Sequence, residues 1–172
     1  MERLYRLFQK ASVLGSLINP RAAEGDLLVA AFHELQPLLE QVLAQESQDD
    51  HAYEMAVTAR GLAKAGEILA NQFTLVATNV PYLKRGKQSG TLTEFADRTC
   101  PDAKADLAII FMRRCEVFVA QGATAALVTP HTWQFLGAYK KFRRFFLRNT
   151  QVDYLAQLGT GAFETVFGEV VN

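Results

Sequence analysis

Three short apolar runs, Phe73–Ala77, Ala123–Val128 and Val152–Leu158, are separated by stretches long enough for helices. A short, continuous apolar run suits a strand covered on both faces, as in a parallel sheet. Between the first two runs, Pro101–Gln121 reads as one long helix, with Leu107, Ile110, Phe111, Cys115 and Phe118 on its apolar side. Gly122 then stands where a helix end favours glycine. Between the second and third runs, Gly137–Asn149 reads as a helix that is strongly basic on one side. The polar stretch Lys84–Cys100 accommodates a short helix around Thr91–Arg98. The order strand, helix, strand, helix, strand predicts an α/β fold with parallel strands.

Upstream the pattern is helical. Leu4, Leu7 and Phe8 share one side of a short helix over Glu2–Ala11, and Gly15 and Pro20 make Val13–Pro20 a turn or an extended segment. Apolar residues at helical spacing recur over Glu24–Glu46, where Pro37 imposes a kink, and over His51–Asn71. Ser47–Asp50 is a polar link suited to an N-cap, and Gly61 and Gly66 either weaken the second helix or admit a close neighbour. The expected organisation is a helical segment, 1–71, followed by the sheet-forming region, 72–172.

Of the 172 residues 49% are apolar, enough for a core, and 18 basic residues balance 18 acidic ones. Nucleic-acid binding would therefore need a local basic patch, not a global field. Cys100 and Cys115 form no CxxC pair, and His33, His51 and His131 are scattered, so neither a disulfide frame nor a metal site is expected. The charged start, MERLYRLFQK, is no signal peptide, and no run is apolar enough to span a membrane. A soluble cytoplasmic protein is expected.

The first apolar run ends in Asn79-Val80-Pro81-Tyr82, followed by Lys84, Arg85 and Lys87. In open α/β sheets ligands bind just beyond the carboxyl ends of strands. An asparagine oxygen and a backbone carbonyl held rigid before proline are two acceptors, and a tyrosine ring is a flat stacking face. That combination suits the exocyclic amino group of a planar base withdrawn from its stack.

This stretch resembles the Asn-Pro-Pro-Tyr motif of N6-adenine DNA methyltransferases, with Val80 in place of the first proline. "LVATNVPYLKRGKQ", "PDAKADLAIIFMRRC", "GATAALVTPHTWQFLGAYKKFR" and "LGTGAFETVFGEVVN" are similar, in order, to the central part of the large adenine-specific methylases of type IIG restriction-modification and BREX-type phage-defence systems. The likeness extends upstream through "LGSLINPRAAEGDLL" and "AVTARGLAKAGEILANQF". It implies a Rossmann-like sheet, here partial with three strands and preceded by helices, acting on double-stranded DNA. It implies that Asn79 and the Val80 carbonyl accept from the adenine amino group, that Pro81 fixes the turn, and that Tyr82 stacks on the base. Phe163 occupies the place of a second stacking aromatic, with Phe167 as its rival. Lys84, Arg85 and Lys87 are candidates for DNA phosphate. In the intact enzyme the amino nitrogen would attack the donor methyl group directly.

The same resemblance calls for S-adenosylmethionine, held by a glycine-rich loop upstream of the motif. Residues 1–78 contain no G-x-G. Gly159-x-Gly161 is a decoy that reads more naturally as a tight turn. Both ends fall short of the resembling proteins. The expectation is a fragment carrying the base-binding half, inactive alone and not binding the donor. The alternative is a non-catalytic assembly module, or a gene remnant, that complements a separate methyltransferase polypeptide. A third reading, a small-molecule-binding α/β protein, needs Gly159–Gly161 as its cofactor loop.

Lys140, Lys141, Arg143, Arg144 and Arg148 are interleaved with Tyr139, Phe142, Phe145 and Phe146. They suit phosphate contact, but a solvated face over an aromatic core is the preferred reading. His131 and Trp133 follow the second run and could line a pocket mouth. Asp102 and Asp106 suit the start of a helix, and one of them could orient the Asn79 loop.

Overall fold

The computed structural model describes residue 6 and residues 8–23 and 50–159. The helix expected over 24–46 lies outside these residues, as do half of the one expected over 2–11 and all of the Ser47–Asp50 cap but Asp50. The chain divides into two compact units, Met1–Phe73 and Thr74–Asn172.

In the first unit, α1 (Ala11–Leu14) runs into a 3-10 turn at Gly15–Leu17, and a second 3-10 turn covers Pro20–Ala23. Val13 and Leu14 are thus helical, where a turn or extended chain was expected. Gly15 makes the break, with φ +49°. Leu14, Leu17, Ile18 and Pro20 are buried. The long helix α2 (Asp50–Ala70) packs on the Pro20–Ala23 turn, and its buried Ala63 has Phe8 and Leu62 packed against it. Gly61 admits no close neighbour, since an added Cβ would meet nothing within 4 Å.

The second unit holds a two-stranded parallel sheet, β1 (Phe73–Asn79) beside β2 (Val119–Val128). Between them lie α3 (Gly90–Thr99) and α4 (Leu107–Phe118). Ser89 caps α3, its hydroxyl accepting from the Leu92 amide at 3.3 Å. The long helix expected over 101–121 is shorter at both ends. Residues 101–105 are turns because Asp106 is the N-cap of α4, its Oδ1 accepting from the Ala108 amide at 2.9 Å. At the other end the β-branched Val117 and Val119 flank Phe118, and the chain passes directly into β2. Gly122 does not end a helix. It sits inside β2 with φ +76°.

After β2 come two 3-10 turns, His131–Gln134 and Gly137–Tyr139, and then α5 (Lys140–Asn149). The third expected strand, Val152–Leu158, is not paired in a sheet. Its side chains face solvent instead, Tyr154 at 85% and Leu155 at 60% exposure. The strands also lack the two-sided cover that apolar runs predict. Leu75 in β1 is 62% exposed. Burial is concentrated in the helices and turns, with Leu92 and Ala96 on α3, Ile109, Ile110 and Met112 on α4, Trp133, and Phe142 on α5.

Two guanidinium groups tie this unit together. Arg113 lies 3.6 Å from the centre of the Phe145 ring and pairs with Glu116 and Asp102. Arg114, buried, lies 3.8 Å from the centre of the Phe118 ring. Burial raises the Glu116 carboxyl above its usual range, against the opposing pull of Arg113.

Candidate functional site

Asn79 is the last residue of β1, and because the sheet is parallel the carboxyl end of β2 lies at the same edge. Val80 is 3% exposed, so its side chain anchors the chain just where it leaves the sheet. Pro81 is exposed and Tyr82 half-buried. The Tyr82 hydroxyl donates to Asn79 Oδ1 at 3.4 Å, a long bond that a better donor would displace. Burial, and then the Asp106 carboxylate, push the Tyr82 phenol above its ordinary range. The hydroxyl therefore remains a protonated donor through the neutral range.

The residue after the motif is clamped. The Leu83 amide donates to Asp106 Oδ1 at 3.4 Å. The Leu83 carbonyl accepts from the Leu107 amide at 3.0 Å and from Gln88 Nε2 at 3.1 Å. Lys84 bridges to Asp106, and the Arg85 amide donates to the Ala105 carbonyl at 2.9 Å. Asp106 is 7% exposed and serves two chain segments with one oxygen, capping α4 and holding the loop. Of the two aspartates expected to open a helix, one of which could orient the Asn79 loop, Asp106 is the one that holds it; Asp102 instead faces Arg113 at 3.8 Å.

The three cations after the motif separate. Arg85 pairs with Asp97 at 2.6 Å and donates to the Thr93 carbonyl at 3.4 Å. Lys104 meets the same Asp97 at 2.9 Å. Those two hydrogen bonds, Lys104 first, hold the Asp97 carboxyl below its usual range. Arg85 is thus committed to the loop, whereas Lys84 and Lys87 are exposed and make no ion pair among the described residues. The Arg85–Asp97 pair spans 12 positions and has no periodic signature in sequence.

Trp133 does not line a pocket mouth. It is buried, donates from Nε1 to Thr129 Oγ1 at 3.2 Å, and meets the Phe142 and Phe146 rings edge-on at 5.9 and 5.5 Å. His131 packs against Phe135 at 5.4 Å. Tyr139 is buried with its phenol pushed up by burial and then by Asp106. The Asp106 charge thus contributes to the upward shift of both phenols, Tyr82 and Tyr139. Phe163 and Gly161 lie outside the described residues. Gly159 has φ +77°, in unpaired chain.

Among the described residues no group of His, Cys, Asp and Glu could hold a metal ion, and no helix is long and apolar enough to cross a membrane.

Known proteins resemble this chain over almost its whole length. The Eco57I restriction-modification methylase family matches residues 8–163. The adenine-specific methyltransferase PglX of Lacticaseibacillus casei (strain Zhang) is 32% identical over 166 residues, 96% of this chain and 13% of that protein. The adenine-specific methyltransferase BrxX of Escherichia coli O9:H4 (strain HS) is 31% identical over 170 residues, 99% of this chain and 14% of that protein. The chain thus spans only a small part of the length of these relatives, while its own length is matched almost completely. It belongs to the Eco57I restriction-modification methylase family.

Proposed function

We propose that this chain carries the adenine-accepting part of an N6-adenine DNA methyltransferase. Asn79 Oδ1 and the Val80 carbonyl accept from the adenine amino group and so aim its nitrogen lone pair. Tyr82 stacks on the base, Pro81 holds the turn, and Lys84 and Lys87 contact the flanking phosphates. The observation that carries this reading is the placement of Asn79 at the sheet's carboxyl edge, its oxygen within reach of a displaceable donor.

S-adenosylmethionine, which the family implies, has no fitting cradle among the described residues. The two strands end in Asn79-Val80-Pro81 and Thr129-Pro130, not in a glycine loop opening a helix. Gly159 follows unpaired chain. We therefore assign the donor no residues here. The exposed sheet and the exposed 151–158 stretch favour a second reading on the same site: an acceptor module that another methyltransferase polypeptide completes.

Binding of single-stranded oligonucleotides that contain either adenine or purine at one position tests the site. Purine lacks the amino group. Adenine is expected to bind about tenfold more tightly, with Asn79→Ala reducing the difference to what the Val80 carbonyl alone supplies, in line with about 0.5–1.5 kcal/mol for each such hydrogen bond. Equal affinities for adenine and purine would overturn the reading.

A further inference from the structure

No acidic residue occurs between Glu116 and Asp153, although the whole chain is electrically balanced. The cations of that stretch are gathered on α5. Lys140, Lys141, Arg144 and Arg148 are all exposed. At about 100° per residue they fall within an arc about 100° wide. With Phe145 and Asn149 they line a groove of ≈ 520 Å³, so every residue of its wall comes from α5. The fifth cation, Arg143, is set apart. Its Nη1 donates to the Trp133 and Leu136 carbonyls, both at 2.7 Å, fixing the preceding turns to the helix.

The opposite face is locked. Phe142 is fully buried, stacked on Phe146 at 5.6 Å and edge-on to Trp133, while Phe145, between the two faces, lies under the Arg113 guanidinium. A helix whose aromatic side is committed to the core cannot lay that side into lipid, as an interfacial helix does. The lysines also stand in the first turn, which has no acidic residue. The helix dipole disfavours cations there. A face evolved only for solubility would place acids at this end; an anion seated on it removes the conflict.

We propose that the exposed face of α5 binds the phosphate backbone of DNA. Assignment to DNA rests on the reading of Asn79–Tyr82 as an adenine site; the phosphate chemistry does not. The helix belongs to the same compact unit as that motif. It extends about 15 Å, at about 1.5 Å per residue, so the charges along it span several phosphates of one strand.

The test is the salt dependence of binding to a short fluorescein-labelled DNA duplex, read by anisotropy. Each phosphate contact contributes about 0.9 to the slope of log affinity against log salt. Lys140→Gln, Lys141→Gln, Arg144→Gln and Arg148→Gln together are expected to lower that slope by about 3 to 4. If this variant melts early, the pairs Lys140→Gln/Lys141→Gln and Arg144→Gln/Arg148→Gln each lower it by about 2. Replacing each lysine by arginine preserves it. An unchanged slope in the folded variants would overturn the inference, as would tighter binding to vesicles of phosphatidylserine than to DNA. The adenine site fails separately: if adenine and purine bind equally while the slope still depends on α5, only the reading of Asn79–Tyr82 falls.

Discussion

Asp106 shows how much one buried carboxylate can organise. One of its oxygens serves the Ala108 and Leu83 amides, across 23 positions of chain. Asp106→Ala leaves both donors without that acceptor. It is expected to destabilise the chain by about 1–2 kcal/mol in denaturant unfolding. It should also erase adenine-over-purine discrimination by freeing the loop. Asp106→Asn keeps an acceptor oxygen and should retain both properties, which a purely electrostatic role would not allow. Cys115 gives a second residue-scale expectation. Burial pushes its thiol up to about 11 from an ordinary value of 9.0. The folded state therefore holds its proton where the unfolded chain has lost it, so stability falls as pH rises from about 9 to about 11. Cys115→Ser should flatten that part of the profile in pH-dependent melts. At neutral pH both buried thiols should react with an aromatic disulfide only as fast as the chain opens. The position of Asn79 at the end of a strand was readable from the sequence, as was a role for one of the two aspartates, Asp102 and Asp106. The diversion of Arg85 to Asp97 and of Trp133 to the core was not, because each depends on a neighbour that only folding supplies.

Two glycines separate what a helix and a strand ask of the same residue. Gly61 lies exposed within α2 with open space around its missing Cβ. Gly61→Ala should stabilise by about 0.5–1 kcal/mol, because alanine loses less backbone freedom on entering a helix. Gly122 lies within β2 at φ +76°, also in open space. Gly122→Ala should destabilise by about 1–2 kcal/mol through backbone strain alone. Thermal melts of the two variants should move in opposite directions. α2 and α4 were visible in apolar spacing, α3 only as a short helix that a polar stretch accommodates and α5 as a helix basic on one side, and α2 matches its expected range to within one residue at each end. The exchange of a helix end for a strand start near residue 119 was not visible. Glycine favours both a helix stop and a positive φ inside a strand, and residue type cannot separate them.

Across the second unit, apolar sequence and burial part company. Leu75 and the segment containing Val152, Tyr154, Leu155 and Leu158 are apolar and exposed. Such surfaces associate when they meet a matching one. The isolated chain is expected to show concentration-dependent self-association in sedimentation velocity. Leu75→Lys or Leu155→Lys should weaken it about tenfold, because burying one leucine contributes about 1.5–3 kcal/mol. A monomer at all concentrations would remove the argument that this sheet awaits further strands. The amino-acid sequence by itself determined the strand–helix–strand order, the long helix α2 and the position of Asn79 at the end of β1, and its resemblance to known methylases gave the family. The first three are written in local spacing and residue type, which operate within a few positions along the chain. Only the tertiary structure decided that 151–159 stays unpaired, that Asp106 joins the motif loop to α4, and that four of the five cations on α5 face solvent while Arg143 turns inward. Those outcomes depend on which distant groups reach one another, and a hydrogen bond between residues far apart in sequence exists only once the chain has folded.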